Sequence, residues 1–456
     1  MKFFAIMLLG MVSMSQTVKA QVLEYPKAEW MQAGIILMHT PGQELFYGVI
    51  HPSAGLFENY FDVDKAAEEH KYYMQVLRDN GAEVYTVYDI LSQMPREDLQ
   101  KLAEKVLVYN IEAQYAEEEE TYRQETLAKM SVGDLIRIVL LQPTVNIKKT
   151  GHNTGYEASY TTNPLMNLYF CRDQSISTPK GQIICRMNSS QRFPETDIIE
   201  ACYKYLGTNI AYRIQGENSY LEGGDYIPFG TMGLIGCGLR TTQGAIDEML
   251  DNDVVGHDTL VVVHDPWKDQ YQMHLDTYFN VIDKDLCTLC FNRYDATSDS
   301  NQFLTITMYA REPGTTAYHK VDAYEGQSFV DFMKKRGVKF IRVSKEDADH
   351  YGNNFLSIKG RHIACVDGQS DAYFKAMEDN GVKVERIPLD QLTKGYGAAH
   401  CMTQVMKREV YQTPTAVQAP KREAAAEGTT YNLAGQPVEK ATSGIYIVDG
   451  KKVTKP

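Results

Sequence analysis

Three stretches share one local pattern: Asn80-Gly81-Ala82-Glu83-Val84, Arg336-Gly337-Val338-Lys339-Phe340 and Asn380-Gly381-Val382-Lys383-Val384. Each closes a segment of helical periodicity and opens a strand-like run. Before the first, Ala66, Ala67, His70, Tyr73, Met74 and Leu77 recur at the spacing of one helix face, which predicts a helix over residues 64–80. The glycine ends each helix because it takes the left-handed cap conformation without steric cost. The spacing predicts further helices over 329–336 and 372–380, and strands at 83–87, 338–343 and 382–387. Gly34-Ile35-Ile36-Leu37-Met38 reads as another buried strand. A strand–helix–strand unit used repeatedly predicts an α/β protein with a quasi-symmetric assembly.

Residues 89–145 break the pattern. Pro95 stands where a helix can start, and Leu99, Leu102, Ala103, Val106 and Leu107 recur with a period near 3.6. Leu127, Met130, Leu135, Ile136 and Val139 extend the helical reading beyond the acidic run at 117–120. This segment reads as a helical insertion. The compact pattern fades after Val410. Residues 413–428, rich in Pro, Ala, Lys and Glu, read as a linker. Residues 429–456 read as a short strand-rich tail in which Asp449-Gly450 marks a hairpin.

The N-terminus differs in kind. Met1-Lys2 precedes an uncharged apolar run over residues 3–14, and Val18-Lys19-Ala20 places small residues before Gln21. This is the three-part pattern of a secretory signal peptide, so residues 1–20 are expected to be removed and 21–412 to form the catalytic domain. The expected location is the periplasm, the cell surface or the medium. With 456 residues, the chain is long enough for a sizeable core. Its 59 acidic residues against 46 basic ones give a net charge of −13, which disfavours nucleic acid and anionic lipid as partners. Eight cysteines in an exported chain permit disulfides. Their low density, and the apolar runs around Cys185 and Cys237, favour buried thiols instead. Cys287 and Cys290 form a lone C-x-x-C in a strand-like run, with no second pair to complete a metal site.

Four segments concentrate reactive side chains: Asn167-Leu168-Tyr169-Phe170-Cys171-Arg172-Asp173, Leu221-Glu222-Gly223-Gly224-Asp225, Met273-His274-Leu275-Asp276-Thr277 and Gly395-Tyr396-Gly397-Ala398-Ala399-His400-Cys401-Met402-Thr403. Each alone has a structural explanation. Arg172 and Asp173 suit a local ion pair, and Glu222 and Asp225 suit caps on a Gly-Gly turn. His274 and Asp276 read as alternating on one face of an extended stretch, and Cys401 as a buried thiol. Together they have the chemistry for attack on a guanidinium. A thiolate is the soft nucleophile, and carboxylates accept from a planar, donor-rich cation. One His can protonate the leaving ammonia and then activate water.

The four segments, in this order over roughly residues 30–412, resemble the arginine deiminases of the guanidino-modifying superfamily. The resemblance implies a five-bladed α/β propeller, with a helical insertion that the similar agmatine deiminases and dimethylarginine hydrolases lack. It implies Cys401 as nucleophile, His274 as general acid and base, Asp173 and Asp276 as the carboxylates gripping the guanidinium, and Glu222 as the carboxylate orienting substrate and His274. Asn167, Arg192 and Arg240 match the grip on an α-carboxylate, and Phe170 falls among the substrate-binding positions. No metal and no organic cofactor is required. The implied partner is a small guanidino substrate, L-arginine, and a homo-oligomer is possible.

The chain also departs from the family. Tyr396 stands where well-known members have an arginine that helps gate the site and bind the carboxylate, and Phe193-Pro194 replaces a more polar pair after Arg192. Typical members are cytoplasmic, and the tail resembles short C-terminal segments of proteins exported by Bacteroidetes-type bacteria. Alternative readings are another guanidino hydrolase, acting on agmatine, peptidyl-arginine or a modified arginine, an amidinotransferase, or a non-catalytic secreted binding protein on this scaffold.

Overall fold

The computed structural model describes residues 25–409 and three short strands beyond them, Thr430–Tyr431, Gly444–Val448 and Lys451–Lys455. The signal-peptide and linker expectations, residues 1–20 and 413–428, lie outside the described residues. Among the described residues a single motif occurs five times. A central strand pairs antiparallel with one neighbour and parallel with another, and the chain reaches the parallel neighbour by way of helix, as parallel crossovers require.

In the first copy the central strand is Gln32–Met38. Its parallel partner is Glu83–Thr86 and its antiparallel partner Gln404–Glu409, so the end of the domain closes onto its beginning. The other central strands are Gly181–Ile184, Met232–Cys237, Leu286–Cys290 and His362–Val366. Their antiparallel partners are Ser175–Thr178, Tyr226–Phe229, Phe279–Asp283 and Leu356–Lys359. Their parallel partners are Ile210–Arg213, Thr259–His264, Lys339–Val343 and Lys383–Ile387. In the third copy Thr305–Arg311 adds to the sheet beside Thr259–His264, followed by Tyr318–Lys320 and Gln327–Ser328.

The junctions behave as their residues dictate. The helix that ends at Gly81 is Val63–Asp79, where Asp62 accepts from the amides of Asp64 and Lys65. Gly81, Gly337 and Gly381 have φ of +91°, +82° and +70°. A Cβ at any of the three would meet nothing within 4 Å, so glycine is needed there for backbone conformation and not for space. The inward faces of strands and helices pack as apolar clusters. One joins Ile36, Leu77 and Val84 to Met402 and Val405, tying the helix Val63–Asp79 to the strand Gln404–Glu409.

Four helices, Val87–Gln93, Arg96–Val106, Ala116–Lys129 and Val132–Leu141, occupy the interrupted segment. A strand, Val108–Asn110, lies among them and pairs with Pro143–Lys149 of a hairpin completed by Tyr156–Thr162. The sequence reading assigned no strands here. The cause is exposure: all seven residues of Tyr156–Thr162 face solvent, so no apolar alternation marks the strand. All eight cysteines are free thiols, and Cys287 and Cys290 are buried within their strand. Among the described residues no helix is long and apolar enough to cross a membrane. The tail strands form a small sheet of their own, with Gly444–Val448 antiparallel to Lys451–Lys455 as the hairpin signal expects.

Candidate active site

The reactive segments occupy one recurring place in the fold. Asp173 lies just before Ser175–Thr178, Glu222 and Asp225 just before Tyr226–Phe229, and His274 and Asp276 just before Phe279–Asp283. Asn354 lies just before Leu356–Lys359, and Cys401 just before Gln404–Glu409. Each is the entry to the antiparallel strand of one of the five motifs. Repetition of the motif therefore brings residues 228 positions apart into contact, as where Arg172 donates to the His400 carbonyl at 3.2 Å.

The His274 segment is not extended. Leu275–Tyr278 forms one helical turn with His274 as its N-cap. Thr277 Oγ1 donates to the His274 carbonyl at 2.6 Å, and the Leu275 amide donates to Asp225 Oδ1 at 2.9 Å. These bonds outweigh the strand-like alternation of His274 and Asp276, which is local and weak. The two glycines of the Glu222 segment serve close approach. A Cβ on Gly223 would lie 1.9 Å from the Arg172 carbonyl, and one on Gly224 would lie 2.6 Å from His274 Nδ1.

His274 Nε2 lies 2.8 Å from Glu222 Oε2, and its Nδ1 lies 3.8 Å from Asp173 Oδ1. Glu222 Oε1 accepts from the Asn188 amide at 2.9 Å. The Cys401 thiol donates to Asp276 Oδ2 at 3.7 Å. Asp173 Oδ1 and Asp276 Oδ1 are buried without hydrogen-bond partners. Two such orphaned carboxylate oxygens beside a thiol provide acceptors for a donor-rich cation.

Of the positions matched to carboxylate binding, Arg240 is available and Arg192 is engaged. Arg192 Nη1 donates to Asp173 Oδ2 at 2.7 Å, Nε and Nη2 donate to Glu195, and Nη2 reaches the Asn167 carbonyl at 3.3 Å. Every nitrogen of its fork therefore has a partner, and Arg192 acts in this conformation as a lock on Asp173. Arg240 Nη1 lies 3.9 Å from Glu222 Oε1, Nη2 donates to Gln270 at 3.4 Å, and Nε is buried without a partner. Asn167 donates to the Gly55 carbonyl at 3.0 Å. Phe170 stacks on Tyr169, and a Cβ on Gly397 would lie 2.6 Å from its ring, so Phe170 walls the cleft beside Cys401. Tyr396 also lines the cleft. It adopts a left-handed φ of 68° and packs edge-on against Tyr271, whose hydroxyl donates to Glu58 at 3.4 Å. Phe193, 36% exposed, lies outside the cleft with the Arg186 guanidinium over its ring.

Burial, with Asp276 and Asp173 nearby, pushes the Cys401 thiol up to about 12. Burial opposes charge on His274, but Asp173, the Cys401 thiol and Glu222 together hold it well above the ordinary imidazole range. Burial likewise opposes charge on Glu222, yet His274, Arg240 and Arg192 hold it down to about 2. Before substrate enters, the site therefore holds a neutral thiol, an imidazolium and an ionised Glu222. Asp173, Glu222 and His274 also offer three potential metal-ligand atoms within 4.8 Å of one another. Two of those side chains already face guanidinium groups, so the charge balance suits an organic cation better than an added divalent ion.

Sequence reading gave no role to Asn354 and treated Asp225 only as a turn cap. Asn354 Oδ1 accepts from the amides of Ala398 and Cys401 at 3.0 and 3.2 Å, and Nδ2 donates to the Asp276 carbonyl at 3.2 Å. It pins the nucleophile turn to the Asp276 turn. No local motif announces it.

Burial raises Asp225 to about 7 from an ordinary 3.8. The folded protein therefore keeps a proton on Asp225 that the unfolded chain releases near pH 4. The stability that this proton supports is full below pH ~4 and falls as pH rises toward 7, by at most ~4 kcal/mol. Asp225→Asn is expected to remove that decline, so that in urea titrations the variant gains on the parent between pH 5 and pH 8. An unchanged difference between the two proteins at both pH values would contradict the assignment.

The family model described as "Arginine deiminase" matches residues 54–408. The arginine deiminase of Halobacterium salinarum is 26% identical, with 84% of this chain and 96% of the relative covered. That of Lactococcus lactis is 27% identical over 82% and 96%. Among solved structures, the N-terminal domain of ArgZ, an arginine dihydrolase from cyanobacteria, aligns with a TM-score of 0.50. It is 15% identical and covers 83% of this chain and 99% of its own. Unliganded AgrE aligns with a TM-score of 0.50 at 16% identity over 83% and 40% of the two chains.

Proposed function

The chain belongs to the arginine deiminase family, and from that premise we propose that it hydrolyses free L-arginine to L-citrulline and ammonia through a covalent intermediate on Cys401. One observation carries the reading. Two carboxylate oxygens without hydrogen-bond partners, Asp173 Oδ1 and Asp276 Oδ1, are buried in the site that holds the Cys401 thiol and the His274 imidazolium.

The guanidinium docks between those two oxygens. Its positive charge offsets the carboxylates that hold the thiol neutral, so the thiol proton leaves to solvent and the thiolate attacks the central carbon. His274 protonates one amino group, the C–N bond breaks, and ammonia departs from a thiouronium. Neutral His274 then takes a proton from water as its oxygen adds to that carbon. The C–S bond breaks, the hydroxyl proton passes to the departing sulfur, and citrulline leaves. Glu222 holds the His274 ring throughout. The chain's own residues supply every group in this sequence.

Arg240 gives the preference for a free amino acid. Its unpartnered Nε and the weakly engaged Nη2 can turn to an α-carboxylate, whereas Arg192 would first have to release Asp173. A charge-assisted hydrogen bond contributes about 1.5–3 kcal/mol. Arg240→Met is therefore expected to raise the KM for arginine about 10–100-fold, with a smaller change in kcat, and to change the KM for agmatine, which has no carboxylate, far less. Steady-state kinetics on both substrates check this. Comparing arginine with agmatine and Nα-acetyl-arginine amide tests the substrate itself: a preference for the capped compound would move the assignment to peptidyl-arginine. Transfer of the amidine to an added amine would make the chain an amidinotransferase.

The five motifs stand as blades about a pseudo-fivefold axis, with the catalytic groups at its end. The recurring position of the site residues supports this arrangement, and an experimental map with a gap between the motifs would refute it. The unit over 21–412 is exported after cleavage before Gln21, and 413–428 tethers the tail. N-terminal sequencing of protein recovered outside the cytoplasm tests the export, and an uncleaved cytoplasmic chain would count against it. Any self-association is to be read from light scattering of the purified protein.

A further inference from the structure

His400 precedes the nucleophile, yet the reaction above gives it no task. Its ring is fully buried. Nδ1 lies 2.6 Å from Asp276 Oδ2, the same oxygen that accepts from the Cys401 thiol. Nε2 faces Glu29 Oε1 at 3.5 Å. Glu29 is in turn paired with Arg408, which donates to the carbonyls of Met31 at 2.8 Å and Ser357 at 2.7 Å. The His400 backbone is fixed as well. Its amide donates to the Asn354 carbonyl at 3.0 Å, and its carbonyl accepts from Arg172 at 3.2 Å. A buried imidazole thus stands between two buried carboxylates, with a buried guanidinium behind one and the reacting groups in front of the other.

We propose that His400 is a positioning residue: its Nδ1–H holds Asp276 so that Oδ1 faces the guanidinium while Oδ2 stays beside the Cys401 sulfur. Rotation of a carboxylate about its terminal torsion is soft, so an Asp with one oxygen tethered and the other free has its aim set by the tether. Without the Nδ1–H, Asp276 Oδ2 keeps only the long bond from the thiol, and Oδ1 loses its direction. Glu29 and Arg408 keep the ring in place from behind. The inference rests on the deiminase reading for its role in turnover, but the geometry it describes can be tested without arginine.

The test uses the full chain with His400→Asn and His400→Gln. The Asn carboxamide nitrogen reaches the position of Nδ1, whereas the Gln carboxamide reaches that of Nε2. Partners that orient a metal-bound His or carboxylate typically contribute about 10–100-fold to activity, and the tether on Asp276 is expected to act on the same scale. The Gln variant is expected to lose about that much in kcat/KM for arginine. Most of the loss falls in kcat, because Asp173 still binds the guanidinium but the carbon no longer lies on the path of the sulfur. The Asn variant is expected to recover most of it. A residue needed only for packing would show no such asymmetry, so equal losses in the two variants, or a Gln variant as active as the parent, would overturn the inference.

A second readout is the rate at which Cys401 is alkylated by 2-chloroacetamidine relative to 2-chloroacetamide. The planar amidinium needs Asp276, and the neutral amide does not. The ratio should persist in the Asn variant and collapse in the Gln variant; equal ratios would again overturn the inference. If the parent protein leaves arginine untouched, the functional reading fails and this ratio alone decides the positioning role. Should the Gln variant not fold, Glu29→Gln replaces it: the ratio should drop, and an unchanged ratio would overturn the inference.

Discussion

Cys401→Ala is expected to abolish citrulline release, by about 10⁴-fold or more, while the protein still folds. Removing a nucleophile leaves only binding and electrostatic contributions to rate, and single-group deletions of this kind cost at least that much. The fold should survive because only one buried sulfur is lost. The turn that carries it is held independently by Asn354 through the amides of Ala398 and Cys401. A colorimetric citrulline assay beside a thermal melt separates the two effects. Mass spectrometry of the parent protein quenched with arginine should show an adduct on Cys401 that the variant lacks. Residual turnover within tenfold of the parent would refute the covalent route.

The second large effect is at His274. His274→Gln is expected to lower kcat by about 10²–10⁴-fold, the usual range for a positioned acid or base, since one ring serves both halves of the reaction. The pH profile sharpens the expectation. Asp173, the Cys401 thiol and Glu222 hold His274 well above the ordinary imidazole range. The parent's kcat/KM should therefore not fall as pH rises through 6.5. It should persist into the alkaline range and fall only where His274 finally loses its proton. Glu222 stays ionised down to about pH 2, so it imposes no acid limb of its own near neutrality. A parent profile that declines through pH 6–7, or a Gln variant with the same kcat, would remove His274 from the acid role. The same shift acts on stability. The pairing of charged His274 contributes fully below pH 6.5 and is lost as pH rises through the elevated value, so the parent should melt earlier at high pH.

How much of this was legible in the sequence depends on the range of each interaction. Gly81, Gly337 and Gly381 announced the helix-to-strand junctions because a left-handed cap is a local demand, written into one residue. Cys401, Glu222 and the other reactive residues were legible as motifs because neighbouring residues in each segment are needed for the same turn. The His274 turn was misread because the alternation of His274 and Asp276 mimics a strand. What makes it a helical turn is an acceptor on Asp225, some fifty positions away. The hairpin over 143–162 was silent because neither of its strands is fully buried. Arg192 was legible as a site residue but not as a lock on Asp173, since its partners had to be seen together. The pairing of Glu29 with Arg408 spans 379 positions and follows from closure of the first motif by Gln404–Glu409, which no short pattern carries.

The most direct measurement incubates the purified protein with L-arginine and quantifies citrulline and ammonia over pH 5–9. Equimolar citrulline and ammonia, formed with no added metal or organic cofactor, is the predicted result. Arginine left intact across that range, or ornithine with urea in place of citrulline, would contradict it.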